Sequence, residues 1–217
     1  MKLSSMQGGV LGGVIIVATL MTGCRGTGEV RPLDFRTKPP VVQITDMEPV
    51  RIVIEPFEDR RADKSRVGMR SHLWGGTTYF NVQGDRVTDV ITQRLADRLK
   101  TRGWKDRMWN VRVVSAASVS DADIVISGQV QDFSASVKSR VFSTVIDTGN
   151  RFTIQAKNLA DQSTTIRTVE GGRSRTVFWF SEDDVQEQLS STLKDGIDRL
   201  LSDTTIEQKI LRPVRQP

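Results

Sequence analysis

The spacing of hydrophobic residues predicts two amphipathic helices. The first has apolar residues at three- and four-residue intervals, opens near Asp85 and ends at Gly103. The second follows Ser181, which together with Asp184 resembles a capping box. Each helix has one apolar face that must be buried. The apolar positions are Val87, Val90, Ile91, Leu95 and Leu99 in the first helix, and Val185, Leu189, Leu193, Ile197, Leu200 and Leu201 in the second.

Two-residue alternation and β-branched runs predict strands elsewhere. Residues 51–57 form a compact run with β-branched Ile52, Val53 and Ile54, which indicates a buried strand that ends at Pro56. The alternation over residues 124–137 changes phase near Val130–Asp132, and this predicts a β-bulge there. Other strands are expected at residues 73–82, 111–114, 152–156 and 164–169, with a turn or bulge at Gly171-Gly172 and a polar loop over residues 58–71.

The order of these elements predicts an α+β fold. Successive long strands with short links favour an antiparallel meander, and the sheet is the surface on which both helices can bury their apolar faces. We therefore expect a two-layer domain over residues 49–211, with a mainly antiparallel sheet and two helices packed on one face. Asp203-Thr204 is expected to start a short terminal helix carrying Ile206, Ile210 and Leu211, and residues 212–217 form a C-terminal tail.

The first 23 residues have the pattern of a bacterial lipoprotein signal peptide. After Lys2, the uncharged segment Val10–Met21 is about twelve residues long, whereas a membrane-spanning helix needs roughly 20. The sequence then reaches Gly23 and Cys24, which resemble a lipobox. Cys24 is the one cysteine in the chain, so it has no partner for an internal disulfide. We predict cleavage before Cys24 and its lipidation; an ordinary signal peptide with an accidental cysteine is the alternative.

An acylated Cys24 predicts the location of the protein. Several acyl chains, palmitate among them, anchor a protein stably without a transmembrane helix. Arg25 stands where inner-membrane retention in enterobacteria-like systems favours aspartate, so we expect an outer-membrane anchor with the domain facing the periplasm. Residues 24–48 contain prolines and are expected to form an extended linker, with a short edge strand at Val41–Ile44.

Charge and composition give little support for catalysis or nucleic-acid binding. The net charge is +5, but basic and acidic residues alternate, so no basic tract follows a phosphate backbone. The chain has one histidine and no Gly-x-Ser-x-Gly motif or metal-ligand spacing. The carboxylate pairs Asp121/Asp123 and Asp183/Asp184 fall at a strand start and a helix cap. We therefore expect no enzyme activity, no catalytic, cofactor or metal-binding residue, and no nucleic-acid partner.

The run Phe178-Trp179-Phe180 is the candidate partner contact. It lies just before the second helix, and strand alternation would place Phe178 and Phe180 on one face and Trp179 on the other. The pattern favours the buried end of a core strand that packs under the helix. The alternative is that Trp179 is exposed and contacts a partner or a membrane.

Several segments together carry a resemblance to a known family. They are the lipobox, the linker, the helix leading into Leu99-Lys100-Thr101-Arg102-Gly103-Trp104, the meander from Ala122, and Val185–Ile210 with Asp203-Thr204-Thr205-Ile206. In this order of elements the chain resembles the YajG-like bacterial outer-membrane lipoprotein family. The long loop from Glu58 to Trp74 departs from that pattern. The resemblance implies an outer-membrane lipoprotein and transfers no active-site residue.

Two functions are compatible with this sequence. The first is a non-catalytic binding or accessory module of a cell-envelope complex, with an envelope protein as partner. The alternative is an auxiliary lipoprotein of a lipid-transport system that binds or relays an apolar ligand. A large apolar cavity between sheet and helices would favour the second function. A filled core with an exposed strand edge would favour the first.

Overall fold

A computed structural model describes residues 26–36, 47–84, 86–102, 108–114 and 121–214. The predicted anchor Cys24, the predicted strand Val41–Ile44 and the helix stop Gly103 lie outside these residues. The described elements are β1 (Gly26–Leu33), β2 (Met47–Ile54), β3 (Glu58–Asp59), β4 (Gly68–Ser71), β5 (Gly76–Val82), α1 (Val87–Arg102), β6 (Met108–Val113), β7 (Ile124–Ser139), β8 (Thr144–Asn158), β9 (Thr164–Val177), α2 (Glu182–Ser202), β10 (Thr204–Glu207) and β11 (Ile210–Pro213).

Strand β7 organises a nine-stranded mixed sheet. On one side it pairs antiparallel with β8, and β8 pairs antiparallel with β9, which confirms the predicted meander. On the other side β2, β3 and β4 pair with successive parts of β7, all in parallel. The sheet is completed by β5 and β1 beyond β4 and by β6 beyond β2. The longest ladders are antiparallel, and the shorter ones are mostly parallel.

The phase change in the sequence of β7 is a β-bulge. The β7–β8 register shifts between Val130 and Asp132, where the bulge was predicted. Before the shift Ile126 and Val130 are buried, and after it Phe133 and Ala135 are buried. The extra residue therefore keeps apolar side chains on the same face of the sheet along the whole strand.

Both helices pack on one face of the sheet, as predicted. Leu95 and Leu99 of α1 and Leu200 and Leu201 of α2 surround the same part of the core. Helix α2 begins with the predicted capping box: the Ser181 hydroxyl accepts a hydrogen bond from the Asp184 backbone, and the Asp184 carboxylate accepts one from the Ser181 backbone. The result is the expected two-layer α+β domain.

Part of the predicted linker is instead a strand of the sheet. Residues 26–33 form β1, which pairs in parallel with β5. Leu33 at its end is buried, and Phe35 beyond it packs edge-on against Phe133, with ring centroids 5.8 Å apart. Because Leu33 and Phe35 cover apolar core surface, the domain begins well before residue 49.

Two local predictions within the sheet were also wrong. The polar segment 58–71 was expected to be a loop, but it contributes β3 and β4. Strand β9 was expected to break at Gly171-Gly172, but its pairing with β8 continues through both glycines without a register shift. In both places the backbone pairs with a long neighbouring strand, and that pairing overrides the local preference of the sequence.

The predicted terminal helix is a β-hairpin. Strands β10 and β11 pair antiparallel, and Gln208 and Lys209 between them have positive φ angles of 49° and 66°, as in a tight hairpin turn. The four-residue spacing of Ile206 and Ile210 suggested a helix but arises from the turn. Strand β11 reaches Pro213, so it includes the first two residues of the predicted 212–217 tail.

Candidate functional site

The aromatic run 178–180 is split between the surface and the core. Phe178 and Trp179 are 81% and 90% exposed, so the interpretation of this run as a buried strand end was wrong for both. The chain leaves the sheet after Val177, the last residue of β9, and alternation no longer applies beyond that point. Trp179 therefore has the exposure expected of a contact residue.

Phe180 has a structural position in the same run. Its ring centroid lies 6.4 Å from that of the buried Phe80, and the Arg70 guanidinium lies 3.9 Å from the Phe180 ring centroid in a cation–π contact. Phe180 precedes the N-cap Ser181 and packs against the core. It therefore fixes where the chain turns from the sheet into α2.

One end of the sheet is defined by a row of paired residues. Gly26 of β1 pairs with Gly76 of β5, and Thr77 of β5 pairs with Ser71 of β4. The row continues from Ser71 to Lys138 of β7, and through Ser139 and Thr144 to Val177 of β9. Strands β1, β5, β4, β7, β8 and β9 thus share this end, at which the chain also enters β1.

Three connections project from this end, and they carry the exposed aromatic side chains of the described residues. Trp74 in the β4–β5 turn is 72% exposed, and Phe142 in the β7–β8 turn is 83% exposed. Phe178 and Trp179 lie in the β9–α2 connection. Leu73 and Val141 are exposed beside them. We call Leu73, Trp74, Val141, Phe142, Phe178 and Trp179 the aromatic end.

Sequence reasoning missed two of these aromatic residues. A signal was present for Phe142, because Val141-Phe142 is an apolar pair inside the otherwise polar turn Ser139–Ser143. Trp74 was assigned to a strand. The structure places it before Gly75, whose φ of 87° forms the β4–β5 turn, so its side chain is left outside the sheet.

Basic side chains accompany the aromatic end. Lys138 at the end of β7 and Arg140 in the following turn are exposed, and within the described part of the chain neither forms a salt bridge. Of the three carboxylates in the first turn of α2, Glu182 lies 3.8 Å from Arg31, Asp184 caps the helix, and Asp183 is exposed. Lys138 and Arg140 thus leave positive charge available beside the exposed aromatic rings.

Between the sheet and the helices, the described residues line a small cavity. The cavity that Leu95, Leu99, Ile154, Leu200 and Leu211 help to line measures about 20 Å³. Ligand pockets typically have volumes of about 300–1,000 Å³. This cavity is therefore too small for an acyl chain.

Larger clefts lie on the outer surface. One of about 450 Å³ runs between α1 and α2, and charged residues such as Arg94, Asp97 and Lys194 line it. Another of about 530 Å³ lies on the helix-free face of the sheet, beside Tyr79, Asp132 and other polar residues. Both clefts are open and carry charged groups, so neither resembles an enclosed apolar site.

Strand β9 forms a long edge of the sheet. Among the described residues it pairs with β8 alone. The ladder runs from the pair of Thr164 with Lys157 to the pair of Val177 with Thr144. Ile166 on this strand is 58% exposed. Toward the aromatic end the edge is charged: Arg173 binds Asp195, and Arg175 lies 3.0 Å from Glu187. The half that begins at Thr164 lies beside the terminal hairpin, where the Thr165 hydroxyl donates a 3.3 Å hydrogen bond to the Leu211 carbonyl of β11.

The carboxylate pair Asp121/Asp123 has structural partners. The Asp123 carboxylate accepts a 2.8 Å hydrogen bond from the Arg51 backbone, and the Arg51 guanidinium also contacts Asp121. Burial opposes ionisation of Asp123, but the hydrogen bonds from Arg51 outweigh it, so its pKa lies below the ordinary value. The contacts join the start of β7 to β2. In the described residues no three His, Cys, Asp or Glu side chains are grouped as metal ligands.

The family follows from the C-terminal part of the chain. Residues 83–211 match the model of an uncharacterized lipoprotein family. The match covers more than half of the sequence, and the chain belongs to this family. A comparison with curated proteins gave no match. Neither described helix has the combination of length and apolar sequence needed to cross a membrane.

Some solved structures resemble the chain at low sequence identity and with TM-scores below 0.5. The chain is similar to protein XCC0632 from Xanthomonas campestris, with a TM-score of 0.49, 11% identity, and coverage of 79% of this chain and 91% of that one. It is also similar to a PelC dodecamer from Paraburkholderia phytofirmans, with a TM-score of 0.42, 16% identity, and coverage of 70% of this chain and 87% of that one. The similarity to lipoprotein GNA1162 from Neisseria meningitidis has a TM-score of 0.35 and 8% identity, and it covers 71% of this chain and 99% of that one. Likenesses this distant transfer no function.

Proposed function

We propose that this lipoprotein is a non-catalytic binding module of a cell-envelope complex. It is held on the periplasmic side of the outer membrane by acylated Cys24, as the narrower resemblance to YajG-like lipoproteins implies. The filled interior carries the proposal. With a cavity of about 20 Å³ between sheet and helices, the domain binds partners through its outer surface and has no place to enclose a lipid.

The β9 edge is the surface proposed for the protein partner. Residues 164–169 are rich in threonine, isoleucine and valine, and no described strand other than β8 pairs with them, although the Thr165 hydroxyl donates a hydrogen bond to the Leu211 carbonyl of β11. Such an edge can pair with an extended segment of another protein. Exposed Ile166 offers an apolar side chain for the added strand, whereas the charged half beyond Gly172 opposes pairing with unselected chains.

Site-specific crosslinking in intact cells tests this proposal. A photoreactive amino acid at Ile166 is expected to give one defined adduct with an envelope protein. Val113 on edge strand β6 is also exposed and serves as the matched control, where we expect no adduct. The substitution Ile166→Lys should abolish the adduct formed by a photoreactive amino acid at neighbouring Thr168, and Val113→Lys should leave it unchanged.

Other outcomes would contradict the proposal. Equal crosslinking at Ile166 and Val113 would indicate random collisions. A purified protein that retains a stoichiometric phospholipid after delipidation of its surface would favour the lipid-relay function instead. The anchor is tested separately: Cys24→Ser should remove the acyl chains and release the protein from the membrane fraction.

A further inference from the structure

We propose that the aromatic end is a membrane-contact surface that rests on the phospholipid layer holding acylated Cys24. This inference rests on the lipid anchor of the proposed function, and adds to it a second contact and an orientation. In this arrangement β7, β8 and β9 extend away from the bilayer. The β9 edge around Ile166 is then held in the periplasm, where another protein can reach it.

The position of β1 sets the distance between the anchor and the aromatic end. Cys24 precedes Gly26 by two residues, and an extended chain spans at most about 3.6 Å per residue. Cys24 is therefore within about 7 Å of Gly26. Gly26 pairs with Gly76 beside the β4–β5 turn that carries Trp74. Acyl chains on Cys24 thus bring the membrane surface to this end of the sheet.

The exposed residues have the chemistry of a membrane interface. Tryptophan combines a large apolar ring with one N–H donor and is enriched where acyl chains meet headgroups. Trp74 and Trp179 are exposed in different connections, and Phe142 lies between them in the order of strands. Neighbouring strands are about 4.8 Å apart, so the contacts from β5 to β9 extend over about 20 Å. Contacts spread this widely restrain the tilt of the domain, which a single tether does not.

The charges favour a lipid surface as well. Exposed Lys138 and Arg140 lie at the base of the β7–β8 turn, on either side of Ser139. Phosphate groups of phospholipids are attractive partners for such side chains. The aromatic residues project from three separate connections of the sheet. A flat lipid surface can contact all three turns at once.

Quenching of tryptophan fluorescence by brominated lipids tests the contact directly. The mature acylated protein is reconstituted into vesicles of phosphatidylethanolamine and phosphatidylglycerol, with acyl chains brominated near the headgroup. Wild-type fluorescence should be strongly quenched. Most of this quenching should be lost in the double variant Trp74→Phe/Trp179→Phe, which retains Trp104, the buried Trp109 and an identical anchor.

A displaced reporter is the matched control. Adding Ile166→Trp to the double variant places an exposed indole on β9. At about 3.3 Å per residue, this position lies about 35 Å along the strand from Val177. This reporter should not be quenched by the brominated lipids. Quenching of the displaced reporter as strong as in the wild type would overturn the proposed orientation.

The remaining outcomes separate the contact from the anchor. Wild-type protein that floats with the vesicles but is quenched no more than the double variant would overturn the membrane contact. In that case the anchor would stand, and the aromatic end would be left to a protein partner. Protein that carries no acyl chain and does not float would overturn both the anchor and the contact that depends on it.

Discussion

Gly26 pairs with Gly76 at the end of the sheet from which Trp74 projects. This parallel pairing places the start of the folded domain two residues after Cys24. The expected linker of residues 24–48 would have allowed the domain to move several tens of ångströms from a membrane. With β1 in the sheet, the proposed lipid on Cys24 would hold the domain close to the bilayer and at a defined end.

Glycine at position 68 is required for the pairing of β4 with β7. A Cβ atom at this position would overlap the carbonyl oxygen of Ala135, which is backbone and has little freedom to move. Gly68→Ala should therefore lower the free energy of unfolding by about 1–3 kcal/mol. At Gly172 the nearest atom to an added Cβ is 3.5 Å away, so Gly172→Ala is the matched control and should not destabilise the domain. Urea denaturation measures both variants, and equal losses would contradict the steric account.

Phe180 and Trp179 should differ in their effect on stability although they are neighbours in sequence. Phe180 packs near Phe80 and under Arg70, whereas Trp179 is almost fully exposed. Phe180→Ala should cost about 1–3 kcal/mol, since its ring is partly buried. Trp179→Ala should change the free energy of unfolding by less than about 0.5 kcal/mol. A large loss for Trp179→Ala in thermal or urea unfolding would show that this side chain belongs to the core.

Asn158 should control the attachment of the terminal hairpin. Its fully buried amide accepts a 2.9 Å hydrogen bond from the Leu211 N–H and donates a 3.1 Å bond to the Leu211 carbonyl. Asn158→Ala leaves both backbone groups without these partners and should cost about 1–3 kcal/mol. Amide exchange at Leu211 should accelerate. Gln155→Ala, at an exposed position of the same strand, should change neither quantity.

The stability of the domain should fall as the pH is lowered through the range in which histidine titrates. Burial, and then the nearby Arg70 charge, hold the pKa of His72 below its ordinary value of 6.5. The unfolded chain therefore binds a proton more readily, and stability is lost as the pH falls through 6.5 until His72 is protonated in the folded state as well. His72 is the one histidine of the chain, so His72→Gln should remove this component of the pH dependence. If the unfolding free energy of His72→Gln varied with pH between about 7.5 and 5 as steeply as that of the wild type, this assignment would be contradicted.

Local sequence signals predicted the elements that depend on neighbouring residues. The helix cap of α2 needs Ser181 and Asp184 alone, and the bulge of β7 is visible as a phase change at Val130–Asp132. Strand β1 could not be predicted in this way, because its partner is β5, about fifty residues away. The hairpin turn at Gln208 and Lys209 lacks the glycine or asparagine that normally indicates positive φ.

The candidate site was likewise predictable only where it depends on residues that are neighbours in sequence. Sequence reasoning identified the run 178–180 but could not tell that the chain leaves the sheet after Val177, which decides that Trp179 is exposed and Phe180 packs. Trp74 and Phe142 join the run through the pairing of distant strands. They lie at the same end of the sheet because of the register in which β4, β7 and β8 pair, and this register cannot be inferred from the residues next to them in sequence.

Mass spectrometry of the mature N-terminus tests the central claim, that the domain is anchored through Cys24. The account predicts that the chain isolated from membranes begins at Cys24 and carries covalently bound acyl chains on that residue. The Cys24→Ser variant should lack the acyl chains and should not be recovered with membranes. A mature protein that begins at another residue, or an unmodified Cys24 in membrane-bound protein, would contradict the account.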